Sequence, residues 1–341
     1  MTDLSTSAKD IFSKSGTGLP ASQSTAEIIH GFIIERMPKI GEPLSEAALH
    51  HFASPGKMLR AKMALQAADH LNVDRYAALH WAAAIEVLHN ASLIHDDICD
   101  GDRLRRERPA VWSVYGRDVA LTLGDWLVAL SFELAAEAAQ RAQTPMLVKI
   151  LATHMKTTTD GEAREFDVQP VRDWGHYLKG AGDKTAPLLT APLEGVAAMA
   201  LHGGAAPIIG DCFRALGNAY QIANDILNFS GGDGANNCGS DLGRRAPNGV
   251  VVLFRQQLDS QSQARFDDWY ACGASEDLEI WVDELRASGA PAEAARRMES
   301  LLGDATAYAG RLPTELSAVI TPIQQLLQQV CLKSVASLNK G

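Results

Sequence analysis

The chain of 341 residues lacks the marks of several protein classes. Its five cysteines, Cys99, Cys212, Cys238, Cys272 and Cys331, are odd in number and scattered, with no CxxC pair. This usage excludes a disulfide framework and a zinc site and points to free thiols in a reducing compartment, the cytoplasm. Positive charge is short: 31 Lys+Arg stand against 41 Asp+Glu, a formal net charge of −10. Nucleic acid, which needs a basic footprint, is not an expected partner. No apolar run is clean enough for a membrane span. The strongest, 119–139, is interrupted by Asp125, Glu133 and Glu137 and reads as a buried helix. Residues 1–24 lack the apolar core of a signal peptide; rich in Ser, Thr and Gly, they read as a flexible leader. Period-two alternation is almost absent, and no fixed-period repeat occurs.

What is present is helical. Hydrophobic residues make up 46% of the chain, enough for a sizeable core, and they recur at three and four. The pattern predicts helices over 25–37, 43–53, 57–70, 75–98, 117–142, 144–160, 173–181, 185–202, 206–229, 249–258, 275–288, 291–310 and 313–337. Pro109, Pro170, Pro207, Pro247, Pro291 and Pro313 fall at or near the boundaries. The reading is an all-α fold, one domain over 25–341. Val250 to Phe254 has strand composition but no partner strands, and is read as buried helix. Ser230 to Asn248, rich in Gly and Asn, reads as a long polar loop of functional type.

The most informative stretch is Leu93-Ile94-His95-Asp96-Asp97-Ile98-Cys99-Asp100, with Arg103, Arg105, Arg106 and Arg108 close behind. On a helix, His89 and Asp96 are about two turns apart and Asp96 and Asp100 about one. His89, Asp96 and Asp100 then share a face, with Asp97 at its edge. Carboxylates this close repel one another unless a cation lies between them, and hard oxygen donors at this spacing suit Mg²⁺. Alone, the aspartates are equally a solvated acidic turn, and the arginines a charge-balancing surface run. Together they suit a diphosphate, because planar guanidinium groups grip phosphate in bidentate fashion.

Three further groups join them. Gly56-Lys57-Met58-Leu59-Arg60 opens a helix whose first turn carries Lys57 and Arg60 and whose free N–H groups favour an anion. Lys184-Thr185 begins another apolar helix and offers a cation. Gln221, Asn224, Asp225 and Asn228 fall on one face of a further apolar helix; an Asn oxygen can ligate Mg²⁺ but brings no charge. The pieces suggest a helical cavity with Asp96, Asp97 and Asp100 on one wall and Asn224, Asp225 and Asn228 on a facing wall. Metal and diphosphate would lie between them, and a hydrocarbon tail in the apolar depth.

Five ordered blocks over roughly residues 50–250 make the chain resemble the trans-isoprenyl diphosphate synthases, the polyprenyl synthetase family. Gly56-Lys57-x-x-Arg60 resembles its GKxxR block. Glu86-x-x-His89 and the run to Asp100, with Arg105-Arg106, resemble its first aspartate-rich motif. Gly124-Asp125 resembles its GD turn and Lys184-Thr185-Ala186 its KTA block. Gln221 to Asn228 resembles QxxDDxxD. The resemblance implies an isoprenoid-synthase-type helical bundle around a central cavity. It also implies a homodimer, about three Mg²⁺ per site, and prenyl transfer from an allylic diphosphate to isopentenyl diphosphate. Residue by residue, it implies that Lys57, Arg60, His89 and Arg106 bind isopentenyl diphosphate. Asp96, Asp97 and Asp100 would hold Mg²⁺, opposite Asn224, Asp225 and Asn228. Arg105, Lys184 and Gln221 would contact the allylic diphosphate, and Thr185 would lie near the reacting carbons.

The departures are specific. Asn224 and Asn228 replace the outer aspartates of the second motif. Asn236 and Ala246 stand where the family has lysines, Glu107 where a glycine usually follows the arginine pair, and Trp112 where His is frequent. Two carboxylates and two lysines are lost together, which roughly preserves local charge; Arg244 or Arg245 is a candidate substitute. The altered motif also partly resembles the Asn-Asp metal motif of terpene cyclases, which implies irregular coupling or cyclisation as an alternative; a non-catalytic partner subunit is a third reading, against which the intact first motif argues. Small Ala91 and Ser92 before the first motif permit a tail of about fifteen carbons or more, with Leu88 as a possible floor one turn deeper.

Overall fold

The computed structural model describes residues 24–54, 56–166, 173–230, 238–272 and 277–338. The expected leader, Ser24 apart, lies outside these residues, as does Asn236. The described chain is all-α, with helices Thr25–Ile34, Ser45–Phe52, Leu59–His70, Arg75–Asp100, Val111–Tyr115, Arg117–Arg141, Met146–Ala163, Trp174–Thr185, Pro187–Met199, Ala206–Ser230, Ser240–Arg244, Gly249–Gln257, Ser260–Cys272, Leu278–Ala287, Ala290–Ala309 and Thr314–Leu338. The exception is a small antiparallel hairpin that pairs Leu104 with Pro109 and Arg105 with Arg108.

Local chemistry starts the helices where it should. Ser24 and Glu27 form a reciprocal capping box, Asp74 accepts from the Ala77 N–H at 2.8 Å, and Asn248 caps Val250 and Val251. Val250 to Phe254 is buried helix. The sequence missed Ser260–Cys272, whose SQSQARFDDWYAC composition is mostly polar; only Phe266, Trp269 and Tyr270, at three-and-four spacing, turn inward. The expected 230–248 loop contains a short helix, Ser240–Arg244, entered through Gly239 at φ 75°.

Two compact units result. The first comprises residues up to Leu151 together with Gly195–Leu201; the second comprises Ala152–Glu194 and His202 onward. In the first, Arg75–Asp100 packs along Arg117–Arg141 and against Leu59–His70. Arg117–Arg141 is long and apolar enough to cross a membrane, but Leu123, Leu127 and Leu134 are buried in this unit. In the second, Ala206–Ser230 packs on Ala290–Ala309, Thr314–Leu338 and Trp174–Thr185. Its core joins Ile222, Ile226, Phe229, Phe254, Phe266 and Trp281. Each such side chain fully buried is worth about 1.5–3 kcal/mol.

Packing is closest where glycine meets an aromatic ring. A Cβ on Gly195 would fall 2.1 Å from Cε2 of the fully buried Trp81. Gly195→Ala is therefore expected to lower stability by about 1–3 kcal/mol in urea unfolding. Gly210→Ala, in a helix with nothing within 4 Å of the added carbon, should be neutral or gain about 0.5–1 kcal/mol. Equal effects at the two positions would refute the packing argument.

Candidate active site

In the first unit the aspartates close Arg75–Asp100, which ends at Gly101 with φ 72°. Asp97 is not at the edge of a polar face. It continues the buried line of Asn90 and Ile94, and its side chain is 2% exposed. Asp96 is partly exposed and Asp100 exposed. Arg105 Nε donates to Asp97 Oδ1 at 2.7 Å; its Nη2 donates to the same oxygen and to Asp96 Oδ2 at 3.2 Å. Burial pushes the Asp97 carboxyl above its ordinary pKa, and the Arg105 charge works against that rise. A guanidinium thus supplies the positive charge that lets adjacent carboxylates share this helix end.

The hairpin that carries Arg105 turns through Arg106 and Glu107, both left-handed at φ 53° and 64°. A two-residue turn of this kind favours Asn-Gly, and a side chain in each position costs roughly 1 kcal/mol or more. Glu107 occupies the place of the family's glycine and carries that strain. Arg106 Nη1 donates to the Ser54 carbonyl. Its guanidinium lies over Gly56, where a Cβ would come within 2.7 Å of Cζ.

Lys57 does not share a helical turn with Arg60. Met58 is left-handed at φ 49° and the helix starts at Leu59, so exposed Lys57 precedes it. Nor are all the first-turn N–H groups free: Ala61 N–H donates to buried Glu86 Oε2 at 3.1 Å. Burial, then the charges of Arg60 and Arg106, hold partly buried His89 well below its ordinary pKa, so its imidazole is neutral. Gly124-Asp125 is not a turn. It lies inside Arg117–Arg141, where a Cβ on Gly124 would strike the His95 ring at 2.1 Å.

In the second unit Lys184 and Thr185 end a helix rather than begin one, because Pro187 opens the next. Lys184 Nζ is 2.9 Å from Glu162 and 2.9 Å from Glu165. The preceding residue, buried Asp183, accepts from Arg164, Lys179 and Arg214 at 2.7, 2.7 and 2.9 Å, and these donors take its carboxyl down to about 2 despite burial. Gln221 Nε2 donates to Thr185 Oγ1 at 2.9 Å, and Asn224 Nδ2 to Gln221 Oε1 at 3.3 Å.

Asp225 is buried and accepts from Tyr177 Oη and the Gly249 N–H, each at 2.6 Å. Burial pushes its carboxyl up to about 8 although both donors oppose the rise. Asn228 donates to Ser240 Oγ at 2.8 Å and accepts from the Asp241 N–H at 3.3 Å. Arg245 is not a substitute for a lysine: it donates to the Tyr270, Leu242 and Gly243 carbonyls and lies over Trp269. Arg244, ion-paired to Asp241 at 3.1 Å and half-exposed, is the remaining candidate.

Among the described residues no three His, Cys, Asp or Glu side chains are grouped to hold a metal ion. Asp96, partly exposed although bonded to Arg105, and exposed Asp100 fit one by donor chemistry, as hard oxygens one helical turn apart. Asp225 and Asn228, already bonded within their own unit, do not fit one in this arrangement. Sequence reasoning missed Tyr177, Glu162, Glu165 and Asp183. Only the Tyr177–Lys184 spacing, about two turns, hinted at any of them.

The raised Asp225 pKa carries a sign. The stability from its protonated form is complete below the ordinary value near 3.8 and is lost progressively as pH rises from there to about 8. Asp225→Asn keeps an acceptor oxygen for both donors. Its unfolding midpoint should track wild type below pH ~4, exceed it by a growing margin between about pH 4 and 8, and keep that margin above; parallel curves throughout would contradict the assignment.

The polyprenyl synthetase family model matches residues 42–284. A geranylgeranyl diphosphate synthase from Sulfolobus acidocaldarius is 32% identical over 213 residues, 61% of this chain and 63% of that protein. Heptaprenyl diphosphate synthase component 2 from Geobacillus stearothermophilus is 35% identical over 198 residues, 55% of this chain and 59% of its own length. The chain thus spans less than two thirds of these relatives. The crystal structure of a decaprenyl diphosphate synthase from Rhodobacter capsulatus superposes with a TM-score of 0.75 at 25% identity, covering 92% of this chain and 95% of that one. A polyprenyl synthase from Caulobacter crescentus CB15, complexed with calcium and isoprenyl diphosphate, gives 0.72 at 25% identity, with 91% and 93% covered.

Proposed function

The chain belongs to the polyprenyl synthetase family, and on that premise we propose that it is a metal-dependent prenyltransferase that joins an allylic prenyl diphosphate to isopentenyl diphosphate. One observation carries the reading: Asp96, Asp97, Arg105 and Arg106 are fastened into a single helix-end and hairpin assembly. Asp96 and Asp100 would hold Mg²⁺, with Asp97 aligned behind them by Arg105. When bound, the metal neutralises the departing diphosphate. Lys57, Arg60, Arg106 and the neutral His89 would bind the acceptor diphosphate as charge and hydrogen-bond donors. Lys184 and Gln221 would bind the allylic diphosphate, with Thr185 near the reacting carbons. The relative complexed with calcium and isoprenyl diphosphate supports this ligand class.

Buried, small Ala91 suits a tail of about fifteen carbons or more, with Leu88, also buried, as its floor. The homodimer implied by the resemblance belongs to the same proposal. A second reading, irregular coupling or cyclisation, draws on the altered second motif, whose Asn228 is spent on Ser240 and Asp241.

The purified protein, given Mg²⁺ and C5 to C20 allylic diphosphates, should make longer diphosphates only when isopentenyl diphosphate is added, and EDTA should abolish turnover. Hydrocarbons or alcohols formed without isopentenyl diphosphate would favour the second reading, and no turnover in any combination would refute both. Asp96→Ala and Asp100→Ala should each lower kcat by roughly 100-fold or more. Of Arg244 and Arg245, only Arg244→Ala should reduce activity without lowering the unfolding midpoint, because Arg245 is bonded into the fold.

A further inference from the structure

We propose that the first unit carries a second oxyanion site, behind the hairpin and separate from the acceptor residues Lys57, Arg60 and His89. A cavity there is lined by His50, His51, Ser54, Arg105, Arg106 and Arg108, and by the apolar run from Pro109 to Val111. No carboxylate lines it. The Arg105 charge is matched by Asp96 and Asp97, and Arg106, which bonds the Ser54 carbonyl, is partly offset by the Glu86 and Asp97 carboxylates. Arg108 makes no ion pair or side-chain hydrogen bond among the described residues and is partly buried. Arg108 therefore brings a charge without an ion pair to a concave surface that also carries Arg106, which favours an anion.

The histidines narrow its chemistry. Asn90 Nδ2 donates to the Glu86 carbonyl, so its Oδ1 accepts from His51 Nε2 at 3.0 Å. His50 Nε2 likewise donates to the Pro109 carbonyl at 2.8 Å. In the neutral rings each Nδ1 is then the nitrogen without hydrogen, an acceptor. Two cations and two acceptor nitrogens suit an oxyanion that keeps a proton to donate. Hydrogen phosphate does so near neutral pH, and sulfate does not. Arg106 is shared with the acceptor set, so the two sites adjoin.

The test is isothermal titration of the full chain with inorganic phosphate in metal-free buffer. A Lys57→Ala/Arg60→Ala variant should retain one saturable phosphate site. Adding Arg108→Ala should weaken that site at least tenfold, Arg108→Gln should do the same, and sulfate should bind several-fold less tightly than phosphate. Circular dichroism confirms that each variant is folded. Absence of saturable binding in the Lys57→Ala/Arg60→Ala variant, or binding indifferent to both Arg108 changes, would overturn the site. Equal affinity for sulfate would overturn the role given to the histidines. The outcome does not depend on prenyl transfer, so it stands or falls separately from the proposed function.

Discussion

A carboxylate inside a helical core stays charged only if a cation lies against it, and the first unit is organised around one such pair, Asp97 with Arg105. Desolvating both charges offsets most of their attraction, so the pair is better regarded as a constraint than as a source of stability. Removing either partner leaves the other buried and uncompensated. The constraint propagates along the backbone. Arg105 fixes one strand of the hairpin, and the tight turn through Arg106 and Glu107 aims the next guanidinium at Ser54 and Gly56. The helix end, the hairpin and the entry to Leu59–His70 are thereby held in one register, and the backbone strain at Glu107 is a consequence.

The second unit meets the same problem with the opposite solution. Among the described residues Asp225 has no cation against it. A phenol and a backbone N–H converge on one of its oxygens, and burial favours the proton. The neighbouring amide becomes intelligible in that light. Asn228 uses both halves of its side chain, donating to Ser240 and accepting from Asp241 N–H. An aspartate could not donate there, and it would bring a second carboxylate close to Asp241. The loss of charge in the second motif is thus consistent with its local packing, whatever it does to metal binding.

Legibility followed range. Helix positions came through because apolar spacing at three and four is a property of consecutive residues. Ser260–Cys272 escaped because its polar composition hides the Phe266–Trp269–Tyr270 stripe. The aspartates and arginines were legible as residue types suited to a metal and a diphosphate, but their partners were not. Tyr177 and Asp225 are 48 residues apart, and Asp183 and Arg214 are 31 apart. No local pattern encodes such pairs. At Gly124 the resemblance named a turn where apolar spacing already predicted helix, and only the fold shows that the His95 ring of another helix needs the glycine's space.

The sequence by itself determined the all-α class, the family, and the ordered blocks that carry acid, base and amide to helix ends, because these depend on composition and short spacing. Only the tertiary structure decided that Asp97 turns inward while Asp96 and Asp100 turn out, that Lys57 stands outside its helix, and that Arg245 is committed to Tyr270 and Trp269. It also decided that Asp225 is held by a phenol and an amide. Each is an outcome of burial and long-range pairing, where desolvation and the partners from other helices settle which way a side chain faces and whether it keeps its charge.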